Sequence, residues 1–151
     1  MAITDSRRLG LVVPYLYPDL VNNGIESGDY ILQNNSDGKG TFIVWNNTEV
    51  PEPTEQELAD AKEEALNAHW WKKLRKKRDK LLVDSDWSQG ADIPTDLKTS
   101  YVTYRSNLRD LPTTVTKPDF DTLNNQEVSK WIEDINSSMP SNPKETEWTL
   151  K

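Results

Sequence analysis

The stretch "DSDWSQGADIPT", residues 84–95, decides how the C-terminal half of this chain folds. Gly90 and Pro94 favour a turn, because glycine tolerates unusual backbone angles and proline interrupts regular structure. The sequences on either side carry the spacing of amphipathic helices. We therefore expect two helices that fold back on each other, antiparallel, at this turn.

The helix before the turn has a recognisable start. Thr54 and Glu57 match a capping box, in which the Thr54 hydroxyl accepts from the third helical amide and Glu57 reaches back to the Thr54 amide. From Leu58 onward, apolar and small residues recur every three or four positions, interrupted only by the polar Arg78: Leu58, Ala61, Ala65, Ala68, Trp71, Leu74 and Leu81. This pattern predicts a helix that ends near Val83, about 28 residues and roughly 42 Å long.

The helix after the turn lies in "DLKTSYVTYRSNLRDLP", residues 96–112, and we expect Pro112 to end it. Its apolar residues follow spacings of 4, 3, 4 and 3: Leu97, Tyr101, Tyr104, Leu108 and Leu111.

In the antiparallel register, Arg78 faces Tyr101 and Arg75 faces Tyr104. We expect both arginines to lay their stems on the tyrosine rings while their guanidinium groups reach carboxylates. Trp87 is expected to fold over the closed end of the hairpin, against its leucines.

The N-terminal part has a different pattern. "YILQNNSDGKGTFIVW", residues 30–45, predicts a β-hairpin, because Asn, Asp and Gly tolerate the positive φ of tight turns. The upstream segment "LVVPYLYPDL", residues 11–20, fits either a strand or a short helix, and we expect it to pack on the hairpin. Pro51 and Pro53 then make the chain stiff and extended.

A third helix is expected in "NNQEVSKWIEDINSS", residues 124–138, with Asn124 and Glu127 as a capping box. The sequence thus predicts an α+β fold in three parts. These are a small β-rich module over residues 1–50, a helical hairpin over 51–112, and an extension over 113–151 with one short helix and a polar tail.

Charge is distributed unevenly along the 151 residues, whose net charge is -7. Residues 1–71 carry -8, residues 72–80 carry +6, and residues 81–151 carry -5. Nucleic-acid-binding domains normally show a broad basic surface, so we interpret the short basic segment as a solvated helix face that pairs with acidic protein surface. Nucleic-acid binding is the weaker alternative. Neither a signal peptide nor an apolar run of about 20 residues is evident, so no membrane association is expected.

The sequence gives little support for a catalytic or metal-binding site. The chain has no cysteine, which excludes disulfides and thiolate ligands. His69 is the only histidine and is expected to pack or face solvent. Asp84, Asp86 and Ser88 resemble the start of a calcium loop, but the glycine falls one place late and Thr95 stands where a bidentate glutamate is required. We expect no cofactor and no enzymatic activity.

Residues 70–112 contain three blocks in order: "WKKLRKKRDKLL", "SDWS" and "YRSNLRDLP". These blocks resemble the phage tail assembly chaperone family. The resemblance implies a structural role for the matching positions Trp71, Arg75, Arg78, Asp79, Leu82, Asp86, Trp87, Tyr104, Arg105, Arg109 and Asp110. Leu74, Leu81, Ser85, Leu108, Leu111 and Pro112 also match. Ser88 replaces the threonine of the family pattern. The N-terminal hairpin and "PEPTEQEL" are similar to the short module of small phage tail and tail-fibre assembly proteins.

The resemblance implies a chaperone or accessory protein that acts in the host cytoplasm and binds a tail, tail-fibre or baseplate protein. About 39 residues follow the last block, whereas family members often end soon after it. A permanent place in the virion tail or baseplate is therefore the alternative.

Candidate partner-binding residues are the aromatics that the hairpin does not need and the basic segment. They are Trp45, Trp70, Trp131, Trp148, Lys72, Lys73, Lys76 and Lys77. The competing interpretation for Trp45 and Trp131 is internal packing. Trp148 lies in a polar tail that cannot form a core, so we expect a partner or a second copy of the chain to bury it. Removing residues 140–151 is accordingly expected to leave stability nearly unchanged.

Overall fold

The computed structural model describes residues 7–22 and 28–144, which form an α+β fold. In chain order, the regular elements are α1 (Leu9–Leu16), β1 (Tyr30–Asn34), β2 (Thr41–Trp45), α2 (Glu55–Asp84), α3 (Thr95–Thr114) and α4 (Asn125–Glu133). Short 3-10 helices occupy Asp86–Gln89 and Ile135–Ser138. The chain divides into two compact units, the first within residues 1–69 and 120–125, the second within 70–119 and 126–151. The division falls within α2, after His69.

The segment that fitted either a strand or a helix is helical. In α1, Leu9, Val12 and Val13 are buried, and this spacing of three and four places them on one face. Pro14 lies inside the helix, which ends two residues later at Leu16. A proline in the last turn leaves few carbonyls without their amide partners, so the short helix tolerates it.

The predicted β-hairpin is confirmed. β1 pairs antiparallel with β2, from Tyr30 opposite Trp45 to Asn34 opposite Thr41. Gly38 and Gly40 in the connecting loop have φ of 81° and 84°, the region that glycine occupies without a steric penalty.

The core of the first unit joins the hairpin to both helices. Its buried side chains come from α1, from β1 and from the first part of α2: Leu9, Val12, Val13, Tyr30, Leu58, Ala61 and Ala65. Trp45 packs against this cluster, with its ring stacked 5.8 Å from that of Tyr30. The expected packing of the upstream segment on the hairpin is therefore confirmed.

The capping box at the start of α2 is confirmed. The Thr54 amide donates to Glu57 Oε2 at 2.7 Å, and the Glu57 amide donates to Thr54 Oγ1 at 3.2 Å. Hydrogen bonds from the Thr54 amide and then the Thr54 hydroxyl hold the pKa of the Glu57 carboxyl below its usual value. The helix runs to Asp84, one residue beyond the expected end.

In the second unit, α3 packs against the C-terminal end of α2. Tyr101, Tyr104 and Leu108 form a buried cluster, and half-buried Leu81, Leu82, Leu97 and Met139 pack against it. The expectation that Pro112 ends α3 is wrong, since the helix continues to Thr114. Backbone bonding resumes after the proline, because the Val115 amide donates to the Leu111 carbonyl at 2.9 Å.

The third predicted helix is shorter than expected. α4 ends at Glu133, and a 3-10 helix follows over Ile135–Ser138. Val128, Ile132 and Ile135 are buried, whereas Trp131 is half-buried. Within residues 7–22 and 28–144, no helix combines the length and apolar character that a membrane crossing requires.

Candidate partner-binding surface

Four lysines form what we call the lysine face of α2: Lys72, Lys73, Lys76 and Lys77. At 3.6 residues per turn they fall within an arc of about 140°. Lys72, Lys73 and Lys76 are exposed, and Lys77 is half-buried. Lys73 Nζ donates to the Ile132 carbonyl at 3.1 Å, near the end of α4, where a cation is favourable. Lys72 and Lys76 are thus the members best placed to contact another protein.

The partners of the two arginines of the basic segment are an aromatic ring and a carboxylate. Arg75 lies over the Trp71 ring, with its guanidinium carbon 5.6 Å from the ring centroid. Arg78 forms an ion pair with Asp79 at 2.7 Å. Both partners lie on α2 itself, within four residues, so these contacts need no antiparallel register. The expected contact of the Arg78 guanidinium group with a carboxylate is thus present, whereas Arg75 lies over a tryptophan of its own helix.

Trp70 is fully buried, with 0% of its surface exposed. Its ring meets that of Trp71 edge-to-face, with the centroids 4.9 Å apart. Of these adjacent tryptophans, Trp71 keeps part of its surface accessible and carries Arg75. Trp70 therefore packs inside the protein, and this corrects its assignment as a partner-binding anchor.

Arg105 of α3 holds the end of α2. It is 7% exposed, and its Nη1 donates to the Leu82 carbonyl at 2.5 Å and to Ser85 Oγ at 2.8 Å. Its Nη2 lies 2.7 Å from an oxygen of Asp86. The last carbonyls of a helix have no amide partner within it. The Leu82 carbonyl accepts from the Ser85 amide and hydroxyl, and the Arg105 guanidinium group adds a charged hydrogen bond to it. Arg105 therefore fixes where α2 stops and the turn begins.

Sequence reasoning gave the role of reaching a carboxylate to Arg75 and Arg78 rather than to Arg105. A signal was present, because Arg105 follows Tyr101 by four residues and adjoins Tyr104. That spacing puts it beside the buried side of α3. A charged residue at such a position has to find hydrogen-bonding partners, since a buried unpaired charge is costly.

Trp87 lies in the turn between α2 and α3 and is 39% exposed. One contact is with Tyr101, edge-to-face at 4.9 Å between centroids. Lys144 lies over the ring, with its Nζ 4.0 Å from the ring centroid. Trp87 was expected to fold over the end of the hairpin, against Leu81, Leu82 and Leu97. Its ring contacts Tyr101, which belongs to the cluster on which these leucines pack.

Residues 139–144, which we call the C-terminal strap, pack on the second unit. Met139 packs against the Tyr101 cluster, and the Tyr101 hydroxyl donates to Asn142 Oδ1 at 3.0 Å. Two residues after Asn142, the Lys144 side chain lies over the Trp87 ring. Removal of residues 140–151 was expected to leave stability nearly unchanged, but Asn142 and Lys144 of this tail contact the second unit.

Residues 71–131 match the family model described as phage tail assembly chaperone protein. We call residues 71–131, which are similar to that family, the chaperone-family segment. Residues 9–70 match the model of the XkdW protein family, which is phage-associated. No curated protein and no solved structure gives a significant match. The family matches support a role in phage tail assembly.

The chaperone-family segment contains the lysine face, the Arg105 contacts and Trp87, whereas the strap lies beyond its end. Of the positions taken from the family pattern, Tyr104 is 4% exposed and Leu82 packs against the cluster that contains it, while Arg109 and Asp110 are exposed.

The remaining tryptophans that were candidate anchors have separate locations. Trp45 belongs to the first unit, where its indole N–H donates to the Val50 carbonyl at 2.8 Å. Trp131 is half-buried on α4, and Trp148 lies outside the described residues.

Proposed function

We propose that this protein is a non-enzymatic phage tail assembly chaperone or accessory protein that binds a tail, tail-fibre or baseplate subunit before assembly. Its task is to cover an apolar or edge-strand surface of that subunit, which would otherwise aggregate, and then to release it. The observation that carries this proposal is the match of residues 71–131 to the tail assembly chaperone family. On this proposal the protein acts in the host cytoplasm.

The lysine face suggests the chemistry of the bound surface. Residues 72–80 carry +6 in a chain whose net charge is -7. Lys72 and Lys76 are exposed one turn apart. A concentrated basic face on an acidic protein favours an acidic partner and accelerates encounter with it. We therefore propose that the subunit presents acidic side chains to this face.

The test is co-purification of tail subunits from infected cells with the tagged full-length protein. The double change Lys72→Glu and Lys76→Glu leaves Lys73 with its bond to α4 and should reduce recovery several-fold, with little effect on folding. The control reverses two exposed lysines elsewhere, Lys39→Glu and Lys117→Glu, and alters net charge equally.

Equal recovery of tail subunits with both double variants would show that the lysine face does not bind them. Failure of the unmodified protein to recover any tail subunit would contradict the proposed function itself. Tight, salt-dependent retention of DNA by the unmodified protein, lost with Lys72→Glu and Lys76→Glu, would assign the face to nucleic acid.

A further inference from the structure

We propose that the outer face of Trp87 is a docking site for a lysine or arginine side chain of a tail subunit, and that Lys144 occupies this site in the free protein. The inference rests on the proposed function for the identity of the partner. It adds a second binding site, of opposite charge preference to the lysine face, and gives the C-terminal strap a regulatory role.

The contact between Lys144 and Trp87 has the geometry of a cation–π interaction. The ammonium nitrogen lies 4.0 Å from the ring centroid, well within the roughly 6 Å over which such contacts are attractive. Tryptophan is the aromatic side chain that binds cations best. Tyr101 supports the ring from the side, with its own ring edge-to-face to that of Trp87. Tyr101 therefore holds the Trp87 ring in place, and a cation lies over the accessible face of the ring.

The surrounding sequence also favours a cation. Residues 84–97 contain four aspartates and neither lysine nor arginine. The side chains of Asp84 and Asp86 are 51% and 63% exposed, although each has one basic partner. A lysine or arginine that approaches Trp87 is attracted by these carboxylates, whereas an acidic segment is repelled. The aspartates near Trp87 therefore favour a lysine or arginine side chain as the group that binds the ring.

The strap is anchored independently of Lys144. Met139 packs against the buried tyrosines, and Asn142 accepts a hydrogen bond from Tyr101. The Lys144 side chain can therefore leave the ring while the rest of the strap stays in place. An exposed cation–π contact changes an equilibrium by only about two- to five-fold, so a partner that brings its own cation and further contacts displaces Lys144 readily.

The first experiment measures the site in the full-length protein by NMR, from the indole N–H signal of Trp87, assigned with Trp87→Phe. The probe is the acetylated, amidated peptide Ser-Asn-Pro-Lys-Glu, and its counterpart carries norleucine in place of lysine. Lys144→Ala should bind the lysine peptide about two- to five-fold more tightly than the unmodified protein. The control Lys117→Ala, an exposed lysine elsewhere, should behave like the unmodified protein. Equal affinities, or no lysine-dependent shift in any of the proteins, would overturn the proposal.

The second experiment identifies the partner by co-purification from infected cells. Lys144→Ala should raise recovery of the tail subunit and Trp87→Leu should lower it, both relative to Lys117→Ala. Unchanged recovery in both variants leaves the proposed function intact but rejects the docking site. Self-association of the protein that Trp87→Leu abolishes would make a second copy of the chain the occupant, and would overturn the assignment to a tail subunit. If no variant recovers a tail subunit, the proposed function fails, whereas the peptide titration still decides whether Trp87 binds cations.

Discussion

At the scale of single residues, Arg105 makes the most informative contacts. Its guanidinium group joins the last turn of α2 to Ser85 and Asp86 while 7% of the residue is exposed. Arg105→Met should lower the free energy of unfolding by about 2 to 4 kcal/mol, because the charged hydrogen bonds from a buried guanidinium group to Leu82, Ser85 and Asp86 are lost. Denaturant unfolding measures this loss.

The matched control is Arg109→Met, one turn further along α3 at an exposed position. It should change the stability by less than about 0.5 kcal/mol. Arg105→Lys should recover only part of the stability, since an ammonium group does not reproduce the fork of a guanidinium group. Equal stabilities of the methionine variants at 105 and 109 would show that Arg105 does not hold the turn.

Residue burial was partly predictable. The spacing along α3 predicted that Tyr101, Tyr104 and Leu108 would pack together, and the structure confirms this. The spacing along α2 placed Trp71 on the apolar face and left Trp70 as a candidate anchor, whereas Trp70 is the buried residue and Trp71 is half-buried. Only the tertiary packing makes Trp70 the buried one.

At the scale of the elements, two carboxylates of the first unit, Asp29 and Glu57, accept hydrogen bonds from backbone amides. Asp29 accepts from the Val21 amide at 2.7 Å and from the Asn47 side chain at 2.8 Å, and these bonds, in that order, hold the pKa of Asp29 below its usual 3.8. The pKa of Glu57 in the capping box is likewise held below its usual 4.5. Both groups are therefore more acidic in the folded protein than in the unfolded chain.

A lowered pKa has a definite consequence for stability. The contribution of each carboxylate is fully present above its unfolded pKa and is lost as pH falls through the lower folded value. The double variant Asp29→Asn and Glu57→Gln should thus unfold at a lower temperature than the unmodified protein at pH 7. Below about pH 4 the difference should shrink, since the unmodified carboxyls also become neutral. Thermal unfolding across this pH range tests the prediction, and a pH-independent difference would contradict it.

The strap adds another element-scale prediction. Ending the chain after Ser138 removes the Met139 packing and the bond from Tyr101 to Asn142, together about 2 kcal/mol. The unfolding temperature should fall by roughly 4 to 8 °C for a domain of this size. Ending the chain after Lys144 keeps the strap and serves as the control. A fall no larger than that of this control would show that the strap contributes nothing to stability.

Features encoded by neighbouring residues were predicted correctly, whereas contacts between residues far apart in the sequence were not. The capping box and the hairpin follow from neighbouring residues, and both are confirmed. Pro112 illustrates the limit, because a proline near a helix end stops the helix only if the following amides find no acceptors. The strap was missed because its contacts with Trp87 and Tyr101 span more than 40 residues, and no local pattern encodes them.

At the scale of the whole molecule, two divisions of the chain nearly coincide. The matches to the two families meet between residues 70 and 71, and the two compact units divide after His69, inside α2. A helix of 30 residues thus carries the end of one family segment and the start of the other. The three sequence-based parts, 1–50, 51–112 and 113–151, instead placed a boundary before this helix, where the prolines lie.

We propose that the protein acts on tail subunits during assembly and is then released. Quantitative mass spectrometry of purified, tail-complete virions, compared with the infected-cell lysate, distinguishes release from retention in the virion. We predict that the protein is abundant in the lysate and absent from virions, or present far below the copy number of the tail subunits. A stoichiometric amount in virions would contradict release and would identify a permanent component of the tail or baseplate.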